Sequence, residues 1–182
     1  MEVLRGKEVK NWSIKEIENL IEDVADFPKP GVLFKDITPI LENNQAFVSL
    51  ARHFAESLPA ETTHLVAIES RGFILGAAVA QHRPIGVVLA RKPGKLPRKT
   101  VSHTYDLEYG TDTLQIHEHA LDENSKVIII DDVLATGGTA HATETLVTKC
   151  GAQVLGHRFL MEIKFLEGGK KLSTPYQAFI HY

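Results

Sequence analysis

Val127-Ile128-Ile129-Ile130-Asp131-Asp132-Val133-Leu134-Ala135-Thr136-Gly137-Gly138-Thr139 is the stretch from which the rest of the chain is read. Four consecutive branched aliphatic residues without alternation read as a strand over 127–130 buried on both faces, the pattern of parallel sheets. The strand delivers two adjacent carboxylates, and a small-residue turn then opens a helix expected over 139–150, closed by Gly151 as its C-terminal cap. Ala135, Thr136, Gly137, Gly138 and Thr139 offer backbone N–H groups, two hydroxyls and two glycines that let a ligand approach the main chain. At a helix N-terminus this makes an anion site suited to phosphate. Asp131 and Asp132 are anions and accept hydrogen bonds only, so they suit the hydroxyls of a sugar carrying that phosphate. The stretch is not a Walker loop, because no Gly-Lys-Ser/Thr follows, and it is not a GxGxxG turn. The plainer alternative is a Gly-rich turn with two capping aspartates.

Working outward, the runs 64–68, 85–90 and 154–161 have the same buried-strand character, and 72–81 is long enough for a helix between the first two. Two successive βαβ units predict an open, mainly parallel α/β sheet flanked by helices, with right-handed crossovers. Ligands of such sheets bind outside the carboxyl ends of the strands. Here three strand ends carry concentrated polar groups: Glu69-Ser70-Arg71-Gly72, Arg91-Lys92 and Asp131-Asp132. Residues 92–123 break the pattern. They open with Lys92-Pro93-Gly94-Lys95-Leu96-Pro97, and two alternating runs, 102–108 and 113–117, follow around 109–112. That reads as a hairpin or a mobile flap. Nearer the N-terminus, Ser13-Ile14-Lys15-Glu16 is a capping box, followed by Ile14, Ile17, Ile21 and Val24 at helical spacing. Asp26-Phe27-Pro28-Lys29-Pro30-Gly31 is expected to stop that helix. Phe47, Leu50, Ala51, Phe54 and Leu58 mark a second helix, ended by Pro59.

The 182 residues, 43% hydrophobic and 24% charged, fit one domain at ~100–200 residues per domain. A net charge of −3 carries no bias towards nucleic acid or anionic membranes, so a polyanionic ligand must be small and met locally. The longest mostly apolar stretch, 73–80, is too short to span a bilayer, and the N-terminus lacks the apolar core of a signal peptide. The single cysteine, Cys150, reads as a small buried hydrophobe, and the expected setting is cytoplasmic. His117 and His119 share a strand face, but no third ligand stands at sensible spacing, so no metal site is expected from the protein alone. His82, His141 and His157 are expected on the surface or in packing.

Residues 127–139 resemble the phosphoribosyl-pyrophosphate (PRPP) motif of the type I phosphoribosyltransferases. Four further segments, in order, resemble the branch of that family that acts on adenine. They are Asp26-Phe27-Pro28-Lys29-Pro30-Gly31-Val32-Leu33-Phe34-Lys35-Asp36-Ile37-Thr38, Glu69-Ser70-Arg71-Gly72-Phe73, Arg91 to Pro97, and Tyr105-Asp106-Leu107-Glu108-Tyr109-Gly110. The resemblance covers roughly residues 14–160; nothing after Glu162 contributes to it. It implies one phosphoribosyltransferase domain over 1–182, with an N-terminal helix and hood over about 1–40 and a flap over about 92–123.

The reaction implied is adenine plus PRPP giving AMP and pyrophosphate, with Mg2+ accompanying PRPP through its phosphates and water, in a cytoplasmic homodimer that binds neither nucleic acid nor membrane. Asp131 and Asp132 would hold the ribose, and Ala135 to Thr139 the 5′-phosphate. Glu69, Ser70, Arg71 and Gly72 would form the pyrophosphate loop, with a non-proline cis peptide, supported by Arg91, Lys92 and Lys95. Arg71 and Glu108 would be catalytic, Glu108 managing the purine proton. Leu33, Phe34 and Lys35 would recognise adenine, Phe34 by stacking, although many family members carry Arg where this chain has Lys35. Tyr105 and Tyr109 could close over the ligand or pack across strands. The rivals are a phosphoribosyltransferase for another purine base, a PRPP-binding regulator without catalysis, and a nucleotide hydrolase or kinase, which the missing phosphate-loop Lys disfavours.

Overall fold

The computed structural model describes residues 10–106 and 110–182. The chain forms two compact units, Met1–His53 and Phe54–Tyr182.

In the first, Ser13 caps α1 (Ile14–Glu18) with the expected capping box: its hydroxyl accepts the Glu16 N–H and the Glu16 carboxylate accepts the Ser13 N–H. The helix stops at Asn19, five residues before Val24 and short of the length the spacing predicts. Glu22–Ala25 is instead strand β1, antiparallel to β2 (Leu33–Asp36), with Val24 opposite Phe34. The β-branched Val24 takes the extended state once a partner strand is available. The proline-rich segment is therefore the loop of a hairpin and not a helix stop. In that loop Asp26 lies at φ 58°, its carboxylate accepts the Gly31 N–H at 2.7 Å, and Phe27–Pro28 is cis. Helices α2 (Thr38–Glu42) and α3 (Asn44–Glu56) follow; α3 carries the expected Phe47–Phe54 stripe, with Leu58 just beyond its end.

The second unit holds a five-stranded parallel sheet. Its strands are β3 (His64–Ile68), β4 (Gly86–Ala90), β7 (Lys126–Leu134), β8 (Gln153–Glu162) and β9 (Tyr176–His181), ordered β4-β3-β7-β8-β9. Strand β9 was not anticipated in the sequence. Helix α4 (Arg71–Ala80) links β3 to β4, and α5 (Gly138–Lys149) links β7 to β8. The buried runs separate by parity onto two faces. Ala67 and Ile130 face α4, which approaches so closely that a Cβ on Gly76 would lie 3.0 Å from the Ala67 Cβ. Val66, Ile68 and Ile129 face the other way, into a core shared with Leu146 and Val147 of α5. Both faces being covered explains why these strands show no polar alternation. Cys150 caps α5 half-buried against that core, and burial pushes its thiol pKa up. His157 is fully buried in packing; desolvation, opposed by Glu144, pulls its pKa down to about 4.

The hairpin is β5 (Thr100–Asp106) and β6 (Thr111–His117). Thr111 and Asp112, expected in its turn, pair with Asp106 and Tyr105 inside the ladder. Nor is its base a loose flap. Leu114 and Ile116 are 2% and 0% exposed in the core beneath α5, and Gln115 exchanges two backbone hydrogen bonds with Arg91, just after β4. An Ile116→Ala variant should lose about 2–5 kcal/mol in urea unfolding, as a core truncation does. A hairpin that merely lies over the site would lose almost nothing.

Candidate active site

Strand β7 runs four residues beyond the predicted 127–130, so Asp131 and Asp132 lie in the strand, at the mouth of a cavity of about 290 Å3. The wall of this cavity is formed by Glu69, Ser70 and Arg71 after β3, by Asp131 to Leu134, and by Ala135 to Ala140 where α5 begins. Two strand ends and a helix N-terminus therefore meet at one opening, where open α/β sheets bind ligands.

Gly137 opens α5 at φ 77°, and no side chain caps that end. The helix's first N–H groups lack intrahelical carbonyl partners by geometry, and the residues that carry them line the cavity, as anion-binding helix starts do. The two glycines there differ in cause. Gly137 is demanded by its left-handed backbone and by Gly168, whose carbonyl a Cβ would strike. A Cβ on Gly138 would make only ordinary contacts, with the Tyr105 ring at 3.8 Å and the Asp106 carbonyl oxygen at 3.9 Å, so nothing in the fold demands glycine there. Tyr105 also sets its hydroxyl 3.2 Å from that of Thr139, tying the hairpin to the helix start, and burial pushes its pKa up.

Asp132 has a side chain only 4% exposed and is paired with the Nε of Arg71. The residue expected on pyrophosphate and one expected on ribose thus hold each other. Burial first, and then the adjacent Asp132, push the Asp131 carboxyl well above its ordinary range. Gly72 does not line the cavity. It lies buried behind the wall, where a Cβ would come within 2.8 Å of the Ile130 carbonyl oxygen and 3.0 Å of the Asp131 carboxylate. The Glu69–Ser70 peptide is cis. The Glu69 carboxylate points to neighbouring chain: Arg91 donates to both its oxygens, at 3.1 and 3.4 Å, and the Lys92 N–H donates at 2.8 Å. The Lys92 ammonium pairs with Asp112 of β6, which raises its pKa, and Lys95 is exposed.

Leu33, Phe34 and Lys35 lie on β2 of the N-terminal unit. Leu33 is 55% exposed, Phe34 packs edge-on against Phe27 at 5.1 Å, and Lys35 is paired with Asp23. Glu108 and Tyr109 lie outside the described residues. Among the described residues no group of three or more His, Cys, Asp or Glu could hold a metal, and no helix is long and apolar enough to cross a membrane. Sequence reasoning missed Tyr105's link to Thr139, Asp112 and Gly168; the doublet Gly168-Gly169 was the available signal for a close backbone approach.

A family model described as a phosphoribosyl transferase domain matches residues 38–165. A curated relative from Synechococcus sp. (strain JA-2-3B'a(2-13)), named adenine phosphoribosyltransferase, is 53% identical over 171 residues, covering 91% of this chain and 95% of its own. The crystal structure of adenine phosphoribosyltransferase from Thermoanaerobacter pseudethanolicus superposes with a TM-score of 0.91 at 44% identity, over 93% of this chain and all of that one. The Saccharomyces cerevisiae enzyme, complexed with an imino-altritol bisphosphate and adenine, gives 0.87 at 37% identity, over 91% and 97%. By these likenesses, and with a parallel sheet whose cavity is lined by an aspartate pair and the start of a helix, the chain is a type I phosphoribosyltransferase. Within that class it belongs to the adenine phosphoribosyltransferase family.

The Arg91 guanidinium holds the Glu69 carboxyl below its ordinary value of 4.5. The stability it contributes is complete above that value and is lost as pH falls through the lowered one. Wild type should therefore exceed Glu69→Gln in urea unfolding above about pH 4.5, with the margin closing on acidification. A margin independent of pH would contradict the pairing.

Proposed function

We propose that the chain transfers the 5-phosphoribosyl group of PRPP to adenine, giving AMP and pyrophosphate, and that the cavity between β3, β7 and α5 is where PRPP binds. One observation carries this reading: two adjacent carboxylates and an uncapped helix N-terminus face the same cavity as a guanidinium. The N–H groups and hydroxyls of Ala135 to Thr139 would take the 5′-phosphate, and Asp131 and Asp132 the ribose hydroxyls. As the bond from the anomeric carbon to pyrophosphate breaks, positive charge grows on the ring, and nearby carboxylates stabilise it. Arg71 is shared: held by Asp132 before binding, it can turn part of its charge to the departing pyrophosphate, alongside the backbone of Glu69, Ser70 and Arg71. Glu69 contributes by fixing Arg91 and the Lys92 backbone, while the Lys92 and Lys95 ammonium groups add positive charge at the rim.

The donors fit Mg2+ arriving on the phosphates of PRPP, since Mg2+ is commonly held by one or two carboxylates, substrate oxygens and water. When bound, the ion offsets charge on the leaving pyrophosphate. Adenine recognition is assigned to Leu33, Phe34 and Lys35. With the Lys35 ammonium engaged by Asp23, the main chain at Leu33 and Lys35 is the better candidate for reading the purine edge. Glu108, which falls between β5 and β6 in the sequence, is assigned the purine proton by its family motif. A cytoplasmic homodimer active in purine salvage completes the proposal.

The test is AMP formation from PRPP and Mg2+ with adenine, hypoxanthine, guanine and xanthine offered separately. Adenine alone should turn over, and Glu108→Ala should be about 10²–10⁴-fold slower, the range for loss of a general acid–base group. Turnover of a 6-oxopurine instead would overturn the base assignment. Saturable PRPP binding without turnover would identify a regulator.

A further inference from the structure

Beyond the motif, the polypeptide after β8 returns to the phosphate loop. Ile163 donates its N–H to the carbonyl of Leu134, the residue before the loop, at 2.9 Å. Two 3-10 turns follow, Lys164–Leu166 and Gly168–Lys171, separated by Glu167, which sits at φ 51°, uncommon for a residue with a side chain. This segment is tied down behind as well. Lys164 donates to the Tyr182 carbonyl at 2.8 Å, Tyr182 donates to that of Glu162 at 2.9 Å, and the Tyr176 hydroxyl donates to the buried Glu162 carboxylate at 2.9 Å. So held, the turn presses the buried backbone of Gly168 against the loop. A Cβ on Gly168 would run into the Ala135 carbonyl oxygen and stand 2.8 Å from the Gly137 nitrogen, and a Cβ on Gly137 would strike Gly168 in return. Backbone meets backbone at the loop.

We infer that Gly168 is a positioning residue for PRPP: it fixes the orientation of the 135–139 N–H groups and so sets affinity for the 5′-phosphate. The inference rests on the assignment of that loop to the phosphate. Free amides bind an anion well only if they already point at it, since ordering them on binding lowers affinity. Here the strand fixes one end of the loop and α5 the other, and Gly168 is the contact that fixes its middle. Gly169, the next residue, has a different neighbour: a Cβ there would press on the Tyr176 ring and hydroxyl behind the turn, not on the loop.

The experiment compares wild type, Gly168→Ala and Gly169→Ala by calorimetric titration with PRPP plus Mg2+ and with ribose 5-phosphate, together with steady-state kinetics. Gly168→Ala should weaken both ligands at least tenfold and raise KM for PRPP while leaving KM for adenine unchanged. Gly169→Ala, which disturbs the Tyr176 tie behind the turn but not the loop itself, should weaken both ligands severalfold less than Gly168→Ala does. Equal losses in the two variants would reduce the turn to general structural support and overturn the inference, and so would no loss in either. If Gly168→Ala does not fold, amide exchange on wild type decides. Ribose 5-phosphate should slow exchange at 168–170 along with 135–139; slowing of the loop alone overturns the inference. Wild type that binds neither ligand brings down the functional reading and this inference together. Wild type that binds both, beside an unaltered Gly168→Ala, removes only the inference.

Discussion

A carboxylate removed from water must be given a partner, and for Asp132 that partner is Arg71. Leaving such a charge unpaired costs several kcal/mol, so the pair constrains everything around it. Asp132 belongs to β7 and Arg71 is the first residue of α4, which follows β3. For the guanidinium to reach, the helix must begin hard against the end of β7, and it can do so only because Gly72 has no Cβ to meet Ile130 and Asp131. From there the rim is a series of charge pairs. Glu69 takes Arg91 beyond β4, and Lys92 takes Asp112 on β6. Each pair bridges two elements, so the polar groups expected at three separate strand ends are held as one frame before any ligand arrives.

That frame changes the meaning of the individual residues. Glu69 and Arg71 stand two residues apart in the sequence motif and both line the cavity, yet the Glu69 carboxylate is engaged by Arg91 and the Lys92 N–H while the Arg71 guanidinium is engaged by Asp132. The glycines divide in the same way. Gly72 permits helix–strand contact, Gly137 supplies a left-handed turn backed by Gly168, and nothing in the fold demands Gly138. A sequence motif lists these as equivalent binding positions; in the folded chain only some of them are free to meet a ligand.

Strands buried on both faces were legible because continuous Val and Ile runs have few other uses, and 64–68 falls on β3 at both ends. The loop was legible because two adjacent aspartates before Thr-Gly-Gly-Thr have a chemical reason to be together. The N-terminal hairpin was not, since Ile14, Ile17, Ile21 and Val24 satisfy a helical period by spacing alone and only pairing with β2 decides against it. The end of β7 was set short because Asp131 and Asp132 look like the close of a strand, although ladder bonds to β8 carry it on to Leu134. Strand β9 and the Gly168 turn act through contacts distant in sequence, which no local pattern encodes. The hairpin's buried base was hidden for a related reason: its alternating residues show which ones point inward but not what they point into.

The central claim is that the phosphate of a nucleotide sits on the N–H groups where β7 hands over to α5. Titrating 15N-labelled protein with AMP and following the backbone amides tests it directly. The account predicts the largest downfield proton shifts at Thr136, Gly137, Gly138 and Thr139, as amides donating to a phosphate show. Saturable AMP binding that leaves those four amides unmoved, with the large shifts elsewhere, would contradict it.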